Sequence, residues 1–528
     1  MDGKGYGSAG ASTSRRATKG FLAKSGSVRE DIDFNNYTLR QRGRLLYMGN
    51  PVAASGIKTH RTNTVGLGLR PNPRPDAKFL GLSPERAAEW SDLVKREFSL
   101  WASGKGSCDA TGINDFYEMQ QMLLCSWLAT GDVFVLAQRA GRTWKTPYSL
   151  RLRAIEGDRV ATPAGAGALS FISLTNGKNP DNGNRIYDGV EIDSGGGIAA
   201  YWFRNTHPFE WTDEAVTFKR VEASGRSTGL PNVIHIMNAE RPDQYRGVTY
   251  LAPIIIPLLQ LNRYTEAELT AAIVASFITG FVTSEAPGND VPFNEAAPAG
   301  DTGVGYDPNE YQMGPGTINV MNPGENIAQV KPEHPAAGYD KFADTICTQI
   351  GAALEIPREL LLKQFTASYS ASRGALLEAW KSFRTYRSWF VNDFCAPAYE
   401  LWMDEAVSLG RIPAPGFFSD PAVRAAWLKT QWIGPSSGQL DPVKEVQAEI
   451  LACQNGFSTY EDSTLRLNGS DFDANVARLE QELKMLKESG ISAAPAGNEE
   501  TSNRDGGGED GEEGAEEGKE DNSDGEEE

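Results

Sequence analysis

Chemistry-bearing motifs are scarce in this chain of 528 residues. The phosphate-binding pattern GxxxxGK(S/T) is absent, because "GIKT" at 56–59 has Ile57 where a lysine would have to stand. Neither HExxH nor GxSxG occurs, and four scattered histidines do not make a zinc set, so no metal and no cofactor is expected. The five cysteines, at 108, 125, 347, 395 and 453, include no CxxC pair and are odd in number, which fits reduced intracellular usage rather than a disulfide scaffold. The most apolar run, "LTAAIVASFITGFVT" at 269–283, falls short of the ~20 residues of a helical membrane span and is bounded by Glu268 and Glu285. It reads as a buried or interface helix, with no membrane partner. Outside the N-terminus no cluster of Lys and Arg interleaved with aromatics appears, which excludes a tight nucleic-acid grip.

The composition that remains is that of a packed protein, with 40% hydrophobic and 23% charged residues, and the length allows several units. The formal charge of −19 is uneven. Residues 499–528 hold fifteen acids and two bases, a net of −13, so the other 498 residues carry only −6. Such a Gly, Glu and Asp run cannot bury a core and predicts a disordered acidic tail over 491–528. Residues 1–29 reverse the sign, with six Lys or Arg against one Asp amid Gly and Ser. They predict a flexible basic arm over 1–34 without the apolar core of a signal peptide.

Between these ends the period of the apolar residues changes several times. "LSPERAAEWSDLVKREFSLWAS" and "NDFYEMQQMLLCSWLATGD" have helical spacing, the first with Ser83 as N-cap and Pro84 at the first helical position. Strands follow at 133–138, 149–155, 187–193, 199–204 and 232–237, separated by turn-rich stretches such as "NGKNPDNGN". This is an α+β unit. From Gly247 to about Thr283 the pattern is helical again, about 54 Å if unbroken, with a bend expected at Pro257. Residues 286–338 then hold sixteen Gly or Pro in 53 positions, with a small hairpin expected from "TINVM" (317–321) and "NIAQV" (326–330). A helix from Tyr339 carries Phe342, Ile346, Ile350 and Leu354 on one face and Asp340 and Asp344 on the other, and ends at Pro357. The polar stretch "KQFTASYSASR" comes next, and then a helix whose aromatics Trp380, Phe383, Trp389, Phe390 and Phe394 recur at core spacing, with a kink expected at Pro397.

Two D-(S/T)-G triplets, at Asp193 and Asp301, raise one enzymatic alternative, an aspartic-type hydrolase whose paired carboxylates would share a proton. Only the first follows an apolar strand, and long helices lie between the two. Two ordinary turns are the simpler expectation, and no catalytic residue is assigned.

Several blocks resemble the lambda-type phage portal proteins. They are "HIMNAERPDQYRGVTYLAPIIIPLLQLNRYTEAELTAA", with Arg241-Pro242, Gln244, Arg246-Gly247 and Tyr264, then "YSASRGALLEAW", "LEIPRELL" and "DPVKEVQA". "LATGDVFV" and "GVEIDSGGGIAAYWFRNTHP" agree as well, so the resemblance covers roughly residues 35–490 in order. At Ala371 the chain departs from a position that is often Ser in the family.

The resemblance implies a mainly helical α+β portal fold, with wing, stem, clip and crown, in a ring of about twelve copies at one capsid vertex. The expected parts are a wing over 35–247, stem helices over 248–285 and 338–357, a clip over 286–337 and a tunnel loop over 358–373. A kinked wing helix and return would span 374–440 and a helical crown 441–490. The implied function is a channel for double-stranded DNA during packaging and ejection, assembled in the bacterial host cytoplasm and incorporated into the virion. Implied partners are the terminase large subunit, a head-completion or connector protein, and a major capsid or scaffold protein. The expected DNA-facing residues are Lys363, Gln364, Thr366, Ser368, Tyr369, Ser370, Ser372 and Arg373, with Asp340 and Asp344 toward the stem lumen. Small hydroxylated side chains make weak, replaceable phosphate contacts, which suits a surface past which a duplex must move.

Overall fold

The computed structural model describes residues 10–12, 16–21, 24–163, 177–276, 280–284, 325–329, 338–365, 368–438 and 442–489. The chain divides into two units, Met1–Asp471 and Phe472–Glu528. The first unit opens with helices α1 (Phe34–Gly49) and α2 (Pro51–Thr64), then β1 (Arg70–Pro73), α3 (Ala77–Leu80), α4 (Pro84–Ala102) and α5 (Phe116–Thr130). Their starts follow from local chemistry. Asn50 caps α2 by accepting from Val52 and Ala53 amides, Ser83 caps α4, and Asp115 with Glu118 closes a capping box on α5.

The strands β2 (Asp132–Arg139), β3 (Leu150–Glu156), β4 (Gly177–Lys178), β5 (Arg185–Tyr187), β6 (Val190–Ile192), β7 (Ile198–Arg204), β8 (Phe218–Glu222) and β9 (Val233–Met237) form two antiparallel sheets, ordered β3-β2-β9 and β4-β5-β6-β7-β8. The single strand expected over 187–193 is two. Asp188 (φ 42°) and Gly189 (φ 84°) both lie in the left-handed region and turn the chain from β5 into β6, as an Asp-Gly pair is suited to do.

A short 3₁₀ turn (Ala252–Ile254) leads into α6 (Ile255–Ser276). Pro257 therefore falls in the first turn, where its missing N–H would have had no intrahelical partner, instead of inside the helix. At 22 residues α6 is about 33 Å long, shorter than expected. Residues 280–284, expected to continue the helix, are a strand, β10 (Gly280–Ser284), paired antiparallel with β11 (Glu325–Gln329). Strand 326–330 thus pairs with 280–284. The other half of the expected hairpin, 317–321, lies outside the described residues, as does the clip apart from β11.

The return path is α7 (Tyr339–Ala353), α8 (Arg358–Leu362), α9 (Tyr369–Phe390) and α10 (Ala396–Ser408), then α11 (Pro421–Leu428), β12 (Thr430–Ile433), α12 (Pro442–Gln454) and α13 (Tyr460–Asn468). A π-helical turn, Val391–Cys395, joins α9 to α10 and accommodates Pro397 near the start of α10. β12 pairs with β1, which brings the return segment back onto the first helices. The expected aromatic core is present. Trp380, Phe383, Phe390 and Phe394 are buried, and Phe116 stacks on Phe394 at 5.4 Å. In the second unit, α14 (Phe472–Glu488) leaves Val476, Leu479 and Leu483 exposed along one side. Among the described residues no helix is long and apolar enough to cross a membrane.

Candidate functional site

α6 and α7 run antiparallel. At one end the Tyr250 hydroxyl donates to the Leu354 carbonyl, and at the other Tyr264 stacks on Tyr339 (5.5 Å) and meets Phe342 edge-on (4.7 Å). Tyr264, one of the residues carrying the family resemblance, is thus among the contacts that hold the two helices together, beside the Thr265–Tyr339 hydroxyl pair at 3.2 Å. Beyond it the β10–β11 ribbon brings Ser284 opposite Glu325, so the intervening Gly/Pro-rich insert leaves and returns at one place.

The stretch expected to be a loop, 358–373, is helical at both ends. Pro357 precedes α8, whose Leu361 is buried against α2, and the Ser55 hydroxyl donates to the Leu361 carbonyl at 2.6 Å. Lys363 ends α8 in the left-handed conformation (φ 56°), and its ammonium reaches the Thr59 hydroxyl at 3.3 Å. Gln364 and Phe365 are exposed, and Thr366 lies outside the described residues. Ser368 is the N-cap of α9, its hydroxyl accepting from the Ala371 amide. Tyr369, Ser370, Ser372 and Arg373 therefore belong to the first turns of a helix, which the Ser368 cap starts ahead of the strong helix formers from Ala375 onward.

The two charges expected to act on DNA from this stretch are not isolated. Arg373 pairs with Glu445 of α12 at 3.3 Å. Of the two acids expected in the stem lumen, Asp340 is exposed, whereas Asp344 forms an ion pair with Arg358 at 2.8 Å and braces α7 against α8. Glu355, in the left-handed region (φ 51°), accepts from Ser382 of α9 at 3.0 Å. A cleft of about 610 Å³ lies between α7, α8 and α9 and includes Glu355, Arg358, Lys381 and Trp389.

Sequence reasoning assigned no role to Arg387. It donates to the carbonyls of Asn63 and Thr64 at the end of α2 and of Pro435, at 2.7–2.9 Å, and so ties α9 to α2 and to the approach to α12. A cation at a helix C-terminus is favourable, and the signal was an Arg set between Tyr386 and Trp389 in an aromatic run.

The "QYRGV" block has a structural role. Arg246 is fully buried and donates to Asp132 (2.6 and 3.1 Å), to the carbonyls of Gly157 (2.8 Å) and Val160 (2.9 Å), and to Asp188. Burial by itself would raise the Asp132 carboxyl, but Arg246 and Arg40 outweigh it and hold the group well below the usual carboxylate range. Gln244 accepts from the amides of Glu240 and Arg241 and donates to the Arg246 carbonyl. Gly247 has no room for a side chain, since a Cβ would lie 1.8 Å from the Gly131 carbonyl oxygen. Arg241 pairs with Asp31 at 2.8 Å, which anchors the end of the expected basic arm.

Asp193 is committed to its own turn, where its carboxylate accepts from the amides of Gly195 and Gly197 at 2.8 Å each. Asp301 lies outside the described residues. Glu156, Asp158 and His207 come close enough to share a metal ion, but Asp158 already accepts from Arg44 and from Gln41 (2.7 Å), so a guanidinium supplies the positive charge there.

Residues 14–387 match the family described as phage portal protein, lambda family. The chain belongs to the lambda family of phage portal proteins. The match runs from before α1 almost to the end of α9 and includes every motif above except "DPVKEVQA". Portal protein B of Escherichia phage lambda is 24% identical over 463 residues, 84% of this chain and 83% of that protein. The portal protein of Escherichia phage N15 is 22% identical, covering 85% of this chain and 84% of its own. A probable portal protein of Halomonas phage phiHAP-1 is 24% identical over 89% of this chain and 84% of its own. Among solved structures, a chain from the neck of a native gene transfer agent particle has a TM-score of 0.40 at 13% identity, covering 83% of this chain and 94% of that one. This portal protein thus stands among structural proteins of virions, not among enzymes, and the hydrolase alternative is set aside.

Proposed function

We propose that this portal protein forms a ring of about twelve copies at one capsid vertex and serves as the conduit through which double-stranded DNA is packaged and ejected. The observation that carries this reading is the family match over 14–387, joined to an antiparallel helix pair whose far end opens into a Gly/Pro-rich insert. In this reading α6 and α7 form the stem, the insert forms the clip, and the elements before Gly247 form the wing, with α12 and α13 toward the crown. The clip docks the terminase large subunit and then a head-completion or connector protein. The wing meets the major capsid or scaffold protein, and assembly takes place in the bacterial host cytoplasm.

The surface offered to DNA is the short connection between α8 and α9 and the first turn of α9, namely Lys363, Gln364, Thr366, Ser368, Tyr369, Ser370, Ser372 and Arg373. Two features support it. Gln364 and Ser370 are exposed polar groups on a scaffold fixed by buried Leu361 and Trp380, and the two cations there have neighbours that temper them. A contact of that kind slides, whereas a dense ring of free cations would bind the duplex by counterion release and slow it. Asp340 adds a negative charge that keeps the phosphates off the stem. Negative-stain microscopy of the purified full chain tests the conduit, with rings pierced by a central hole expected. Monomers at all concentrations, or closed particles without a hole, would overturn it.

A further inference from the structure

Two tryptophans, Trp144 and Trp211, have relative exposures of 97% and 102%, and both stand at the tips of strand connections. A large aromatic held wholly in water gains a monomer nothing, and such rings serve as anchors at protein interfaces. Trp144 lies between β2 and β3, in a stretch (139–149) that holds Arg139, Arg142 and Lys145 and no acid. Glu405 takes up Arg139 (2.6 Å) and Arg142 (3.5 Å), while Lys145 has no ionic partner among the described residues. Trp211 lies between β7 and β8, in a stretch (205–217) that holds Glu210, Asp213 and Glu214 and no Lys or Arg. None of these three acids forms an ion pair among the described residues. The two tips therefore combine the same apolar anchor with opposite charge.

They also lie at opposite ends of one strand. Arg139 pairs with Leu150 at the start of β3, beside the Trp144 tip. Glu156 ends β3, and His207 of the Trp211 tip lies 3.7 Å from its carboxylate. Six residue steps separate the two ends, about 20 Å. The tips are too far apart to satisfy each other within one chain. Complementary patches on opposite sides of a subunit are what a head-to-tail contact needs if copies are to close into a ring.

We propose that the Trp144 tip of one subunit docks on the Trp211 tip of the next, the two indoles in contact and Lys145 facing Asp213 and Glu214. This contact rests on the ring reading given above. The test uses the full chain carrying both Trp144→Cys and Trp211→Cys, treated with a short bismaleimide. A ladder of covalent species up to the ring size is expected, with none from either single variant. Those single variants also control for Cys125 and Cys453, the native cysteines that are not buried. In parallel, Lys145→Glu alone and Glu214→Lys alone should each lower the salt concentration at which half the rings dissociate by about twofold, and the double swap should restore it. Rings that form normally, with no ladder and unchanged salt response, overturn the contact and leave the ring reading standing. A wild-type chain that forms no rings overturns both.

Discussion

Arg246 closes on Asp132 with two hydrogen bonds, of 2.6 and 3.1 Å, and neither side chain reaches solvent. The pair joins the start of β2 to the segment that leads into α6. Arg246 also holds the carbonyls of Gly157, Val160 and Asp188, so one guanidinium fixes both the turn after β3 and the turn between β5 and β6. Removing it leaves the Asp132 carboxylate buried without its main partner. Arg246→Ala should cost about 3–5 kcal/mol, measured as the shift in urea unfolding. Adding Asp132→Asn should recover part of that loss, because the stranded charge goes with it. A double variant as unstable as the sum of the two single variants would show that the pair is not the unit that matters.

His60 offers a pH test. Its imidazole is buried among Tyr250, Phe383 and Tyr386 and hydrogen-bonds Tyr250 at 2.8 Å, and burial pushes its pKa down to about 3. The unfolded chain would take up that proton near pH 6.5. Stability from this site is therefore complete above pH 6.5 and falls as pH drops toward 3, by at most ~1.4 kcal/mol per pH unit. Asp33 and Asp393 act in the opposite sense, since burial raises both to about 6, so absolute curves mix the effects. The difference between wild type and His60→Gln isolates the imidazole. That difference should narrow by about 3 kcal/mol between pH 7 and pH 4. Parallel curves would mean the histidine is not held neutral.

Much of the helical core was legible because its signals were strong and local. Ser83-Pro84 and the aromatic spacing from Trp380 to Phe394 each name their own element. The misreadings have physical causes. "GFVTS" follows directly on an apolar run, and a segment of only five residues fits a strand as well as a helix, so the apolar period extends the expected helix over β10. β1 is "RPNP", and two prolines argue against a strand until β12 arrives from 360 residues away to pair with it. α8 has only five residues, and what makes it a helix is the burial of Leu361 on α2, which no local pattern carries. At the candidate site the residue types were readable, but Glu445 and Thr59 as partners for Arg373 and Lys363 were not, since those contacts form only after the chain returns.

The insert between α6 and α7 can be shortened without disturbing its base. β10 and β11 pair from Gly280 with Gln329 to Ser284 with Glu325, so the chain ends at the insert are already held together. Deleting 300–316 removes material beyond that ribbon. Soluble rings should still form, and capture of the terminase large subunit in a pull-down should be lost. Undiminished capture would assign terminase docking to another surface.

Changing the charge at the connection between α8 and α9 should change the speed of DNA passage and leave assembly intact. Ser368 is unsuitable for this test, because it caps α9 and its loss costs about 1 kcal/mol of helix stability whatever happens to DNA. Gln364 and Ser370 are exposed, and among the described residues no side-chain hydrogen bond ties either to the fold. Gln364→Lys with Ser370→Lys adds two cations per subunit, about twenty-four around a ring of twelve. Each neutralised phosphate deepens the salt dependence of binding, so packaging should slow, more at 50 mM salt than at 200 mM. Trp380→Ala and Phe383→Ala act through the core instead, and should cost about 3–5 kcal/mol and reduce the yield of rings. A double-lysine variant that packages full-length DNA at the wild-type rate across that salt range would show that Gln364 and Ser370 do not face the duplex.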